Sequence, residues 1–171
     1  MAIREVITHP NPNLRKKAKK VTEFGPALQQ LIDDMVETMR NEPGVGLAAI
    51  QIDVPLRVIV VEYNENEDDQ NAPPKLYAVV NPEITRTSKE TEIGTEGCLS
   101  VPGVVGDVER FCSLTVKGLN RRGQPVKIKA SGWLARIFQH EIDHLDGVLF
   151  IDRAEKVWLI EGEATQVTPA D

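Results

Sequence analysis

Histidine and cysteine are scarce in this chain, three of the first and two of the second among 171 residues. Two cysteines, Cys98 and Cys112, are too few for a disulfide scaffold. No apolar run is long enough to cross a bilayer as a helix, so no membrane partner is expected. Met1 to Pro10 lacks the apolar segment of a signal peptide. Basic residues are not in excess either. The net charge is −6, and a general affinity for nucleic acid is not expected. The run Arg15-Lys16-Lys17-Ala18-Lys19-Lys20 is the one exception. It could touch RNA or a ribosome surface, but a solvated face is the simpler reading. These absences point to a reducing, cytoplasmic compartment, or to an organelle matrix if a transit peptide has been removed. There a free cysteine survives as a thiolate.

What is present is an ordinary globular composition, 41% hydrophobic and 27% charged. A chain of this length is expected to form a single catalytic domain over 1–171, with a flexible tail from about 161. No internal repeat is visible. Pro26 suits a first helical position, and Leu28, Leu31, Ile32, Met35, Val36 and Met39 follow at helical spacing. Pro43 and Gly44 should end that helix. Arg57 to Tyr63 and Leu76 to Val80 are β-branched runs, separated by an acidic, Pro-containing loop from Asn64 to Pro74. Leu114 to Lys117 and Val126 to Lys129 flank Asn120-Arg121-Arg122-Gly123, a predicted hairpin. A second helix should start near Ser131, with Leu134, Ile137, Phe138 and Ile142 apolar and Gly147 beyond its end. Val148 to Ile151 and Val157 to Ile160 are expected as short closing strands. The sum is an α+β domain, with antiparallel sheets packed around a central helix.

That second helix carries the chemistry. His140-Glu141-Ile142-Asp143-His144 places two imidazoles four residues apart, on one helical face. Both can bind one metal ion, and Glu141 can take a proton from water beside it. Two histidines rarely complete a catalytic site, which usually has three protein ligands and an open position. Downstream are only Asp146, Asp152, Glu155, Glu161 and Glu163, with no histidine. Upstream, Glu96-Gly97-Cys98-Leu99-Ser100 offers a cysteine. Taken alone, Cys98 is a small buried hydrophobe; beside a two-histidine helix it is the better third ligand. Cys112 has no motif and is assigned to the core. A further segment, Gly44-Val45-Gly46-Leu47-Ala48-Ala49-Ile50-Gln51, has two glycines that permit close backbone approach.

Together and in this order, the three segments resemble the peptide deformylase family. That family is marked by Gly-x-Gly-Leu-Ala-Ala-x-Gln, Glu-Gly-Cys-Leu-Ser and His-Glu-x-x-His, and all three are complete here. The resemblance implies removal of the N-formyl group from the formyl-methionine of new polypeptides, with release of formate. It implies Cys98, His140 and His144 as ligands of one divalent ion. Fe²⁺ is the expected metal in the cell, with Zn²⁺, Ni²⁺ or Co²⁺ able to take the site. It implies Glu141 as general base and then acid, and Gln51 with the Leu99 backbone N–H as oxyanion donors. A substrate site is implied at Gly44, Val45, Gly46, Gly97, Trp133, Arg136 and Ile137. Trp133 and Arg136 stand where many bacterial members carry aliphatic residues, and the Ser-Gly-Trp-x-Ala-Arg lead-in is similar to members from mitochondria and plastids. Expected partners are formyl-methionyl nascent peptides, with a transient ribosome contact and a monomer or weak dimer. Two other readings differ in their site: a peptidase with a downstream acidic ligand and a dispensable Cys98, or a closed structural metal staple that needs no base.

Overall fold

The computed structural model describes residues 2–66 and 68–160. The expected tail from 161 onward lies outside the described residues.

A five-stranded antiparallel sheet forms the body. Its strands are β1 (Gly46–Ala48), β2 (Val58–Tyr63), β3 (Lys75–Thr87), β6 (Ser113–Leu119) and β7 (Pro125–Ser131), in the order β1-β2-β3-β6-β7. Helix α1 (Pro26–Asn41) covers one face. The six apolar positions of its predicted stripe are all buried, against Leu47, Val58, Val60 and Val80. Helix α2 (Gly132–Leu145) covers the other face, where Leu134, Ile137 and Phe138 meet Ile59, Val61, Tyr77, Val79 and Val116. The two faces explain why Val58 to Val61 is a continuous apolar run: both sides of β2 are buried.

The β6–β7 hairpin forms where predicted. Asn120 closes it by accepting from the N–H groups of Arg122 (2.9 Å) and Gln124 (3.0 Å), and Gly123 takes φ +80°. Ser131 does precede α2, but its side chain makes no capping hydrogen bond. After α2, Gly147 adopts φ +75°, the left-handed conformation expected at a helix end.

A second, three-stranded sheet has the order β4-β5-β8: β4 (Thr91–Cys98), β5 (Val101–Phe111) and β8 (Lys156–Leu159). β8 falls within a residue of its expected place. The expected strand at Val148 to Ile151 is not there. A one-turn helix, α3 (Phe150–Arg153), takes its place. Its cause is local: the Asp152 carboxylate captures the Leu149 N–H at 2.9 Å, and the Asp152 N–H returns to the Leu149 carbonyl. That turn drives Leu149 and Phe150 into a small third core with Leu14, Cys98, Val101 and Val108.

Candidate metal centre

Cys98 is the last residue of β4, just before the two-residue turn Leu99-Ser100. The pairing jumps from Gly97↔Val105 to Cys98↔Val101, an irregularity that re-aims the strand end. His140 and His144 come from the second half of α2. The three potential ligand atoms lie within 4.8 Å of one another, and all three residues are buried. His144 Nε2 is 3.3 Å from Cys98 Sγ. Among the described residues no downstream carboxylate joins this cluster. Asp146 is held by Arg57 and Asp152 by Arg15, while Glu155 is exposed. Among the described residues the third member of the cluster is therefore upstream, at Cys98 of the Glu-Gly-Cys-Leu-Ser segment.

Two buried glutamates flank the cluster. Glu96, two residues before Cys98, has no solvent exposure. Its Oε1 accepts from Arg110 Nη2 (2.9 Å) and pairs with His140 Nδ1 (2.9 Å). Its Oε2 accepts from Arg110 Nε (2.9 Å) and Arg136 Nη1 (2.7 Å). Burial alone would raise its pKa, but hydrogen bonds from Arg110 and His140 overturn that and hold the carboxyl well below the usual range. A carboxylate on Nδ1 also fixes the ring so that Nε2 is turned toward a metal. Arg110 continues outward to Asp143 (2.6 Å), which Arg153 covers from the surface.

Glu141 is as deeply buried but differs in its partners. Both of its carboxylate oxygens are buried and neither has a hydrogen-bond partner. Burial pushes its pKa up to about 7. Gly46 explains how the carboxyl fits: a Cβ at that position would stand 2.6 Å from Glu141 Oε2. The second glycine of the Gly-x-Gly segment thus leaves the space in which the Glu141 carboxyl sits.

Gln51 lies in a 3₁₀ turn, Ala49–Ile52, and is buried rather than on the surface. Its orientation is set by its acceptor side. The Ala48 N–H donates to Gln51 Oε1 at 2.9 Å, which aims the NH₂ group at Ser100 Oγ (3.1 Å) and Cys98 Sγ (3.6 Å). The site therefore joins three distant segments of chain, those predicted from the sequence.

The expected substrate residues have mixed fates. Val45 packs partly buried on the α2 core, Gly97 is buried in β4, and Ile137 is fully buried. Arg136 departs from the expected substrate contact. Its guanidinium is buried and bonded to Glu96, the Val108 carbonyl (2.8 Å) and the Glu92 carbonyl (2.8 Å), so it is held within the protein. Trp133 lies over it, with Cζ 5.4 Å from the ring centroid. Glu96 and Arg110 carry roles that sequence reasoning did not assign. Glu96 stands inside a recognised segment, but nothing local marks Arg110, which reaches the site only through the β4–β5 pairing. Cys112 is half-buried between β5 and β6.

The donor set fits a divalent ion: one cysteine sulfur and two imidazoles converge, the second imidazole's Nδ1 and the Glu141 oxygens are buried and orphaned, and burial excludes competing solvent. A cluster of three potential ligands with a buried, unpartnered carboxyl beside it fits the class of metal-dependent hydrolases better than a closed four-ligand staple. Comparison with known proteins narrows that class. A model of the polypeptide deformylase family matches residues 3–158. The peptide deformylase of Symbiobacterium thermophilum is 52% identical over 153 residues, 90% of this chain and 67% of that one. A peptide deformylase from Ehrlichia chaffeensis, solved with actinonin, superposes with a TM-score of 0.84 at 37% identity, covering 91% of each chain. A class I type b peptide deformylase from Acinetobacter baumannii, solved with Met-Ala-Ser bound, gives 0.82 at 40% identity, over 89% of this chain and 98% of that one. The chain belongs to the polypeptide deformylase family.

Proposed function

We propose that this protein removes the N-formyl group from the terminal formyl-methionine of newly made polypeptides, giving formate and a free amine. The observation that carries the reading is the juxtaposition of Glu141, buried and unpartnered, with the Cys98, His140 and His144 cluster. Cys98, His140 and His144 would hold a divalent ion, which would supply Lewis-acid chemistry and lower the pKa of water at the site. Glu141 accepts the proton of the attacking water at its carboxylate and returns it to the leaving amide nitrogen. Its raised pKa suits both halves of that transfer. The Gln51 NH₂, pre-aimed by Ala48, and the Leu99 backbone N–H stabilise the charge that develops on the formyl oxygen. Loss of one such donor costs about 3 kcal/mol. Gly44 and Gly46 bring backbone close to the reacting carbon, and the crowding of Gly46 against Glu141 favours a formyl group over bulkier acyl groups. Val45, Gly97, Ile137 and Trp133 would receive the methionine side chain.

We propose Fe²⁺ as the metal in the cell, with Zn²⁺, Ni²⁺ or Co²⁺ competent in purified protein. The chain acts as a single catalytic unit, a monomer or weak dimer, in the cytoplasm and with a transient ribosome contact. No helix among the described residues is long and apolar enough to cross a membrane.

Formate release from a formyl-Met tripeptide tests the activity, using protein purified without oxygen and a parallel sample loaded with Ni²⁺. Release from the formyl peptide but not from its acetyl counterpart is expected. No release from fully metallated protein would overturn the reading.

A further inference from the structure

Glu96 is already satisfied in charge by Arg110, which grips it through two donors. A second arginine on the same carboxylate calls for its own explanation. Arg136 comes from α2, four residues before His140, so the two side chains lie on one helical face. Both end on Glu96: Arg136 Nη1 on Oε2 at 2.7 Å, His140 Nδ1 on Oε1 at 2.9 Å. One turn of the histidine helix therefore clamps the strand that carries Cys98 two residues further on.

The path of the arginine is built for this. Its guanidinium runs along the inner face of β4, over Gly94, where a Cβ would meet Cζ at 2.8 Å. It donates to the carbonyls of Glu92 on the same strand and Val108 on β5. Trp133, one turn back on α2, covers it. The residue is only 5% exposed. Trp133, Arg136 and Gly94 thus make one unit that ties the helix bearing two ligands to the strand bearing the third.

We infer that Arg136 is a positioning residue for the metal centre. It acts through Glu96 to set the separation between Cys98 on β4 and the His140–His144 pair on α2, and Gly94 is the space it needs. This rests on the reading of Cys98, His140 and His144 as metal ligands. Outer partners of metal ligands are worth about 10- to 100-fold in metal affinity.

The test is Co²⁺ binding, read by chelator competition and by the thiolate-to-cobalt and d–d absorption bands. Wild type is compared with Arg136→Leu, Arg136→Lys, Gly94→Ala and the Gly94→Ala/Arg136→Leu double variant. Arg136→Leu should bind about ten-fold more weakly, with shifted bands. Arg136→Lys should recover part of both. Gly94→Ala should act in the same direction by displacing the guanidinium, yet add little once Arg136 is gone, since the two effects share one cause. If Arg136→Leu does not fold, Gly94→Ala carries the test alone through the same bands. Unchanged affinity and bands in folded Arg136→Leu, or fully additive effects of the two substitutions, would overturn the inference. Wild type that binds no Co²⁺ would overturn the metal-site reading and this inference with it.

Discussion

The two sides of the metal centre hold the same residue type in opposite conditions. Glu96 and Glu141 are both glutamates and both inaccessible, at 0% and 1% exposure. Glu96 is met by two arginines and a histidine, and every one of its carboxylate contacts is a charged or ring N–H. Glu141 is met by none. Burial pushes both pKa values upward; only Glu96 has partners strong enough to reverse the direction. The saturated carboxylate can hold position but cannot exchange a proton near neutral pH. The unsaturated one is poorly anchored, yet can gain and lose a proton in that range. Burial by itself therefore does not distinguish an anchor from a base; the hydrogen-bond partners do.

The sharpest way to break the comparison is Glu141→Gln. It removes the proton acceptor and little else, so formate release should fall by about 10² to 10⁴. Melting temperature should hold or rise, because a buried carboxylate without partners is gone. A variant that keeps its rate would remove Glu141 from the proton transfer.

Glu96→Gln should give the complementary result. Two arginines and His140 lose their common charge, and breaking such a buried pair costs about 3–5 kcal/mol. Urea unfolding would show this, with activity following the loss of folded, metal-loaded protein. A stability change near zero would mean that Arg110 and Arg136 find other partners.

The pH dependence of stability in metal-free protein separates the two residues by sign. Glu141 has its pKa raised from 4.5 to about 7, so it favours the fold while protonated. That contribution is complete below pH 4.5 and is lost as pH rises through 7, a penalty of about 3 kcal/mol on the alkaline side. Glu96 has a depressed pKa, so its contribution is present above pH 4.5 and is lost as pH falls below it. Urea midpoints across pH should therefore lose Glu141's falling share of the slope between 4.5 and 7 in Glu141→Gln, leaving the rising share of His144, whose pKa burial lowers, and lose acid sensitivity in Glu96→Gln. The same slope in both variants would contradict the assignment.

Much of this site is legible in the order and spacing of its residues. A helix repeats every 3.6 residues, so spacing alone places His140 and His144 on one face and the apolar stripe of α1 on another. The β6–β7 turn is legible because Asn and Gly are the residues that close such turns. The long β4–β5 hairpin is not. Thr91 to Cys98 and Val101 to Phe111 mix glycines, acids and arginine, since part of their inner face carries the Glu96–Arg110 pair and meets Arg136 of α2, and only part joins the small apolar core. The helix at Phe150–Arg153 escapes a pattern reading because a single carboxylate, Asp152, closes its turn against the pull of a β-branched stretch.

Sequence by itself determined the fold class, the two main helices and which residues are candidates for the ligands and the base, because helical periodicity and motif chemistry act over a few residues. Tertiary structure alone decided that Arg110 and Arg136 meet on Glu96, that Gly46 leaves room for Glu141, and that Gln51 is turned inward by Ala48. The first two join residues far apart in the chain, and only the packing of β1, β4 and β5 against α2 brings them together; the third is a local turn contact whose buried surroundings the fold supplies.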